Sequence, residues 1–147
     1  MRIVVGSDHA GLKLKTELVS YLKTLDGVEL SDLGTHTADS CDYPDYARPV
    51  ALAVANGEAD WGLLVCGTGV GMSMAANKVA GVRAAVISDT FSAAATRQHN
   101  DANVLCIGER VVGGGLALAI VKAWIATEFE GGRHQRRVNK ISALEHA

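Results

Sequence analysis

Residues 61–71 read Trp-Gly-Leu-Leu-Val-Cys-Gly-Thr-Gly-Val-Gly. Positions 62–65 form an apolar run of strand length, and their composition predicts a strand buried on both faces. A glycine-rich loop follows at once, and a short helix beyond it reaches about Lys78. A strand buried on both sides belongs to a parallel sheet covered by helices on each face. The same alternation extends outward in both directions. Upstream, residues 2–6 read as a buried strand, and Leu14, Leu18, Leu22 and Leu25 mark an amphipathic helix. Residues 28–33 are a second strand, and a polar loop over 34–42 leads to Tyr43 and Pro44. Pro44 fits the first turn of a helix running through Asn56. Downstream, 82–87 is a fourth strand, 91–98 a helix and 104–107 a fifth strand. Leu116, Ile120 and Trp124 make a helical stripe, and Val138, Ile141 and Leu144 make another in the C-terminal tail. The expectation is one α/β domain over residues 1–147 with a five-stranded parallel sheet. Right-handed crossovers put the C-terminal ends of the strands on one rim, where ligands bind in such sheets.

Composition narrows the function. Hydrophobic residues make up 48% and charged residues 20% of the 147, which excludes a disordered polar chain. The formal net charge is −2, so nothing draws the whole molecule to nucleic acid or to an anionic membrane. Neither is an expected partner, and any anion must be held by a local cluster. The longest uncharged stretch, 61–77, is interrupted by glycines and falls short of the roughly 20 apolar residues of a membrane span. The opening apolar run Ile3-Val4-Val5 is cut short by Asp8 and His9, unlike a secretory leader. Cys41, Cys66 and Cys106 are odd in number and far apart, matching no disulfide framework, CxxC or zinc ribbon. A cytoplasmic location is the expectation.

The residues just after each strand carry the chemistry. Asp8 could cap the coming helix, whereas His9 has no equally good structural role and offers a donor or charge to a bound oxygen. The loop Gly67-Thr68-Gly69-Val70-Gly71 lets backbone N–H groups converge on an oxyanion. It is neither the dinucleotide GxGxxG, which would need glycine where Met72 stands, nor a Walker loop. Asp89, about 20 residues on, keeps a nucleotide reading open. Cys66 is either an inert core residue or, facing a helix start that favours its thiolate, a nucleophile or base. Cys106, inside the fifth strand, reads as core, and Cys41 is undecided. Arg133 and Arg137 share one helical face, which suits either a phosphate or a solvated basic patch. His99-Asn100 closes a helix just before the fifth strand, so within one chain it belongs on the rim opposite Cys66. It is either a helix-ending pair or a contribution to a neighbouring subunit's site.

The segments Asp8-His9-Ala10-Gly11, Asp42-Tyr43-Pro44, Cys66-Gly67-Thr68-Gly69-Val70-Gly71, Ala76-Asn77-Lys78, Arg97-Gln98-His99-Asn100-Asp101 and Glu130-Gly131-Gly132-Arg133-His134 together resemble the type B ribose-5-phosphate isomerases. That family includes allose-6-phosphate isomerases and galactose-6-phosphate isomerase subunits. The resemblance spans essentially the whole chain. It implies a Rossmann-like three-layer sandwich with a C-terminal helical tail, forming a homodimer or dimer of dimers with sites shared at the interface. The implied reaction interconverts ribose 5-phosphate and ribulose 5-phosphate in the pentose phosphate pathway, with no cofactor and no metal. By similarity, Cys66 is the base, and Thr68 with Gly67, Gly69, Val70 and Gly71 holds the developing oxyanion. Asp8 and His9 contact the sugar phosphate, and Tyr43 lines the pocket. His99 opens the ring with Asn100 beside it, and Arg110, Arg133 and Arg137 bind phosphate. Some members carry a carboxylate base further along the loop. Met74, Ala75 and Ala76 offer none, which resembles the cysteine subtype. Hexose 6-phosphates, a nucleotide-binding module and a redox or structural subunit are the alternatives.

Overall fold

Alternating strands and helices build the chain in the order expected. The structure is a computed structural model describing residues 1–147. The strands are β1 (Arg2–Ser7), β2 (Glu29–Asp32), β3 (Trp61–Cys66), β4 (Ala84–Val86) and β5 (Val104–Gly108). The helices are α1 (Leu12–Leu22), α2 (Tyr43–Ala55), α3 (Val70–Ala76), α4 (Thr90–Asn100), α5 (Gly114–Ile125) and α6 (Arg133–Ala143). All pairings are parallel, in the order β2-β1-β3-β5-β4. Successive side chains on each central strand point to opposite faces. Val5, Leu63, Val65, Leu105 and Ile107 therefore pack with α1, α4 and α5. Val4, Leu64, Cys66, Val104 and Cys106 pack with α2 and α3. The result is the three-layer α/β sandwich. No helix is long and apolar enough to cross a membrane.

The strand order places the site. From β1 the chain turns outward to β2, and from β3 it moves the other way to β5 and β4. The crevice between the ends of β1 and β3 is thus the point where the winding reverses, the usual ligand position in such sheets. Ser7 and Cys66 end the two strands that flank it.

Several ends shift by a residue or two from the sequence reading, most of all in β4 and α4. β4 is shorter because asparagine side chains take the backbone groups that would extend it. Asn77 accepts from Ala84 N–H at 2.8 Å and donates to Ala84 O at 2.9 Å, and Asn103 Oδ1 accepts from Arg83 N–H at 2.7 Å. α4 is longer at both ends. Asp89 caps its start by accepting from Ser92 N–H at 2.7 Å, and Asp101, with φ of 46°, closes it. Arg97 secures that last turn, with its guanidinium 4.9 Å from the Trp61 ring and 5.6 Å from Trp124. It donates to Asp101 Oδ1 and Ala102 O at 2.9 and 2.7 Å.

Lys15 is a buried cation on α1, only 1% exposed. Its ammonium donates to Asp32 Oδ1 at 2.6 Å and Thr35 O at 2.8 Å, and Asp32 also accepts from Gly34 N–H at 2.9 Å. The loop so held pairs with Ser7, beside the crevice. Asp32→Asn leaves the buried ammonium without its counter-charge. We expect it to lower the unfolding free energy by about 3 kcal/mol in urea titrations.

Candidate active site

The backbone leaves β3 through Gly67 and Thr68 and enters α3 at Val70. Gly69, at the helix start, has φ of 80°, where a side chain on an L-residue is strained. That turn aims the Gly69 N–H at the Cys66 Sγ, 3.1 Å away, and the thiol is otherwise buried at 5% exposure. An N–H pointed at sulfur favours negative charge there. Val70 N–H donates to Thr68 Oγ1 at 3.3 Å, while the N–H groups of Gly67, Thr68 and Gly71 find no acceptor in the chain. Free amides gathered at a helix start can hold a negative oxygen.

The neighbours of this loop come from three other segments. The Tyr43 ring lies over Gly71 so closely that a Cβ there would stand 2.8 Å from it. Tyr43 and Gly71 also open a groove of about 600 Å³ along α2 and α3, which Arg48, Met74 and Lys78 line and Cys66 does not. From β5, Glu109 and Arg110 donate N–H bonds to Cys66 O and Gly67 O at 2.9 and 3.0 Å. The exposed Arg110 guanidinium covers Gly67, with Nη1 3.3 Å from where a Cβ would stand. From β1, Asp8 Oδ1 accepts from Ala10 and Gly11 N–H groups at 3.0 and 3.1 Å, so the capping role is real. Its second oxygen takes no part in the cap. His9 Nδ1 accepts the Cys41 N–H at 3.1 Å, which leaves Nε2 to carry the proton of the neutral ring. Cys41 thus meets His9 through its backbone N–H and through its Sγ, 3.8 Å from the same nitrogen.

The remaining candidates lie elsewhere. α4 feeds β5, so its C-terminal end, with His99 and Asn100, sits at the opposite edge of the sheet from Cys66. The His99 ring stacks on His134 of α6, with centroids 4.4 Å apart and planes 15° apart. Glu130 N–H donates to Gln98 O at 3.1 Å, which fastens the start of α6 to the end of α4. Arg133, the first residue of α6, therefore stands with His99 rather than with Cys66. Arg137, one turn on, lies on the same helix. Arg110, Arg133 and Arg137 are exposed and none pairs with a carboxylate. One chain thus carries two groups of candidate residues on opposite edges, Cys66 with the glycine loop on one and His99 with Arg133 and Arg137 on the other. His134 and its neighbour Glu130 are residues to which sequence reading attached no role. Their partner His99 is remote in the chain, so no spacing reveals them.

Two bland readings are also settled by geometry. Cys106 is fully buried, and burial, with Cys66 nearby, pushes its thiol far above the ordinary range, so it is a core residue. Asp89 is engaged at the start of α4, where the Ser92 N–H holds its carboxyl below the usual range. The acid on which the nucleotide reading rested thus has a structural role as the cap of α4. His99, Glu130 and His134 offer ligand atoms within 4.8 Å of one another. The imidazoles lie face to face, however, so their lone pairs run parallel instead of converging as metal coordination requires.

The family model described as ribose/galactose isomerase matches residues 3–141. The chain belongs to this family. Ribose-5-phosphate isomerase B of Escherichia coli is 56% identical over 144 residues, covering 98% of this chain and 96% of that protein. Ribose-5-phosphate isomerase B of Clostridium thermocellum superposes with a TM-score of 0.97 at 53% identity, covering 99% and 98% of the two chains. That of Mycoplasma genitalium, solved with bound ribulose-5-phosphate, gives a TM-score of 0.94 at 47% identity, covering 99% and 96%. The ribose/galactose isomerase likeness therefore extends over nearly the whole chain, including both groups of candidate residues.

Proposed function

We propose that this protein interconverts D-ribose 5-phosphate and D-ribulose 5-phosphate through an enediolate. The observation that carries the reading is the buried Cys66 Sγ facing the Gly69 N–H at 3.1 Å, beside amides with no acceptor of their own. Aldose–ketose exchange removes the proton beside the carbonyl and returns it to the neighbouring carbon. The Cys66 thiolate takes the C2 proton and delivers it to C1, so one thiol serves both carbon transfers, while the O2 hydroxyl proton passes to O1 and leaves the ketone at C2. Charge gathers meanwhile on the carbonyl oxygen, where the N–H groups of Gly67 to Gly71 and the Thr68 hydroxyl receive it. His99 passes the ring-opening proton, with Asn100 beside it. Asp8, His9 and Tyr43 line the sugar, and Arg110, Arg133 and Arg137 grip the phosphate. Turnover of ribose 5-phosphate and allose 6-phosphate, measured side by side in excess chelator, tests this. Preferred, chelator-insensitive conversion of the pentose is expected, and failure to convert either sugar overturns it.

The site is completed by a second copy. A two-fold axis brings His99, Arg133 and Arg137 of the partner subunit over the Cys66 rim, and the reverse follows by symmetry. Exposed apolar side chains suited to such burial flank both edges. Phe91, 81% exposed, and Val86, Val70 and Met74 lie at the cysteine rim, and Ile141 and Leu144, 73% exposed, at the other. Three free cysteines and a phosphorylated sugar substrate suit a cytoplasmic enzyme.

The phosphate grip makes its own prediction. Arg137→Ala should lower kcat/KM for ribose 5-phosphate by about ten- to a hundredfold, the worth of one charge-assisted hydrogen bond. Steady-state kinetics check it, and an unchanged kcat/KM would leave the arginine as a solvated surface charge.

A further inference from the structure

His134 is a buried imidazole for which the reaction as described has no use. It is 6% exposed, its Nε2 lies 3.5 Å from Glu130 Oε2, and its face covers the His99 ring. Its own N–H is bonded to Gly131 O at 3.0 Å, and the preceding loop is bonded to α4 through Glu130 N–H and Gln98 O. The ring therefore sits in a frame joined to α4 one residue before His99. His99, by contrast, is only half-buried, and its side chain must be aimed if it is to pass a proton to a sugar oxygen. Misplacement of a reacting group by about 1 Å can cost a hundredfold in rate.

We propose that His134 is a positioning residue, a fixed flat platform that holds the His99 ring in the orientation from which the ring-opening proton is passed. This rests on the assignment of His99 to ring opening. The platform has to be uncharged, because two stacked imidazolium rings repel. The charged and titratable groups facing it are His99 from α4, Arg133 and Arg137 from α6, and Glu130 from the loop before α6. Burial pushes the His134 imidazole below its ordinary range, His99 and the two arginines push it the same way, and Glu130 alone opposes. All but one of these influences thus disfavour a charge on the platform ring.

Two substitutions in the full-length protein separate a platform from simple packing. His134→Leu fills the space without a flat face, and His134→Phe restores the flat face without a titratable group. With thermal unfolding followed in parallel, His134→Leu should lower kcat for ribose 5-phosphate by about thirtyfold, with KM within about threefold of the parent. His134→Phe should bring kcat back to within about threefold of the parent, with the pH profile of kcat/KM unshifted. A folded His134→Leu variant with parental kcat overturns the proposal. An acid limb displaced by about one pH unit or more in His134→Phe also overturns it, since the titrating ring would then be His134 itself. If His134→Leu does not fold, the pH profile of His134→Phe decides alone. A parent that turns over neither sugar sinks the isomerase reading instead. In that case nitrogen NMR of the His99 ring, rigid in the parent and His134→Phe and mobile in His134→Leu, still tests the platform, and equal mobility in all three rejects it.

Discussion

Cys66→Ala should lower kcat for ribose 5-phosphate by about a thousandfold or more, the usual loss when a positioned base is removed. Cys66→Ser should fall nearly as far, because a hydroxyl holds its proton far more tightly than a thiol does. Neither change should disturb the fold. The side chain ends β3, and the backbone bonds from Glu109 and Arg110 to Cys66 O and Gly67 O do not involve it. Initial rates for both variants, with circular dichroism to confirm structure, test this. Turnover within tenfold of the parent would mean that the thiol is a packing residue like Cys106. The same experiment separates the redox alternative, which allows a reactive thiol but has no isomerase activity to lose.

Mixing two dead enzymes should restore a live one. Cys66→Ala and His99→Ala chains, unfolded together and reassembled at equal ratio, form mixed dimers in half of all cases. Each mixed dimer has one site with an intact Cys66 from one subunit and an intact His99 from the other, so about a quarter of parental activity is expected. A site contained within one chain would always lack one of the two groups, and the mixture would stay at background. The geometric ground is strong. His99 ends the helix that feeds β5, whereas Cys66 ends β3, and parallel strands put those two positions on opposite edges. Native mass spectrometry of the mixture, which separates the two chains by their mass difference, establishes that mixed dimers have formed.

Much of this was legible in the residues. Continuous apolar runs such as 62–65 and 104–107 are what strands buried on both faces must look like. Their alternation with helical stripes yields the layer architecture. The glycine loop after β3 was likewise readable as a tight turn into a helix, since its glycines serve the backbone. Gly69 needs its left-handed φ to aim an N–H at Cys66, and Gly71 needs room for the Tyr43 ring. Both demands are local, and local demands leave marks in sequence.

Other features depend on segments that meet only after folding. Asn77 and Asn103 trim β4 by taking its backbone groups, and no propensity scale records that. Asp8 reads equally as cap and as ligand until Oδ1 is seen to accept from Ala10 and Gly11, with the second oxygen taking no part in the cap. The Cys41 N–H sets the His9 tautomer from a polar loop with no regular pattern. Arg133 and Arg137 could be recognised as a pair, yet their place beside His99 follows from α6 docking on the end of α4.

Residue order along this chain, through hydrophobic period and glycine placement, is sufficient to specify a parallel α/β sandwich with a glycine turn after β3, because both are written by neighbours a few positions apart. The allocation of chemistry to two opposite edges, with a buried His134 beneath His99, arises from crossover direction and helix docking. Those are contacts between distant segments, whose energy no short stretch of sequence contains.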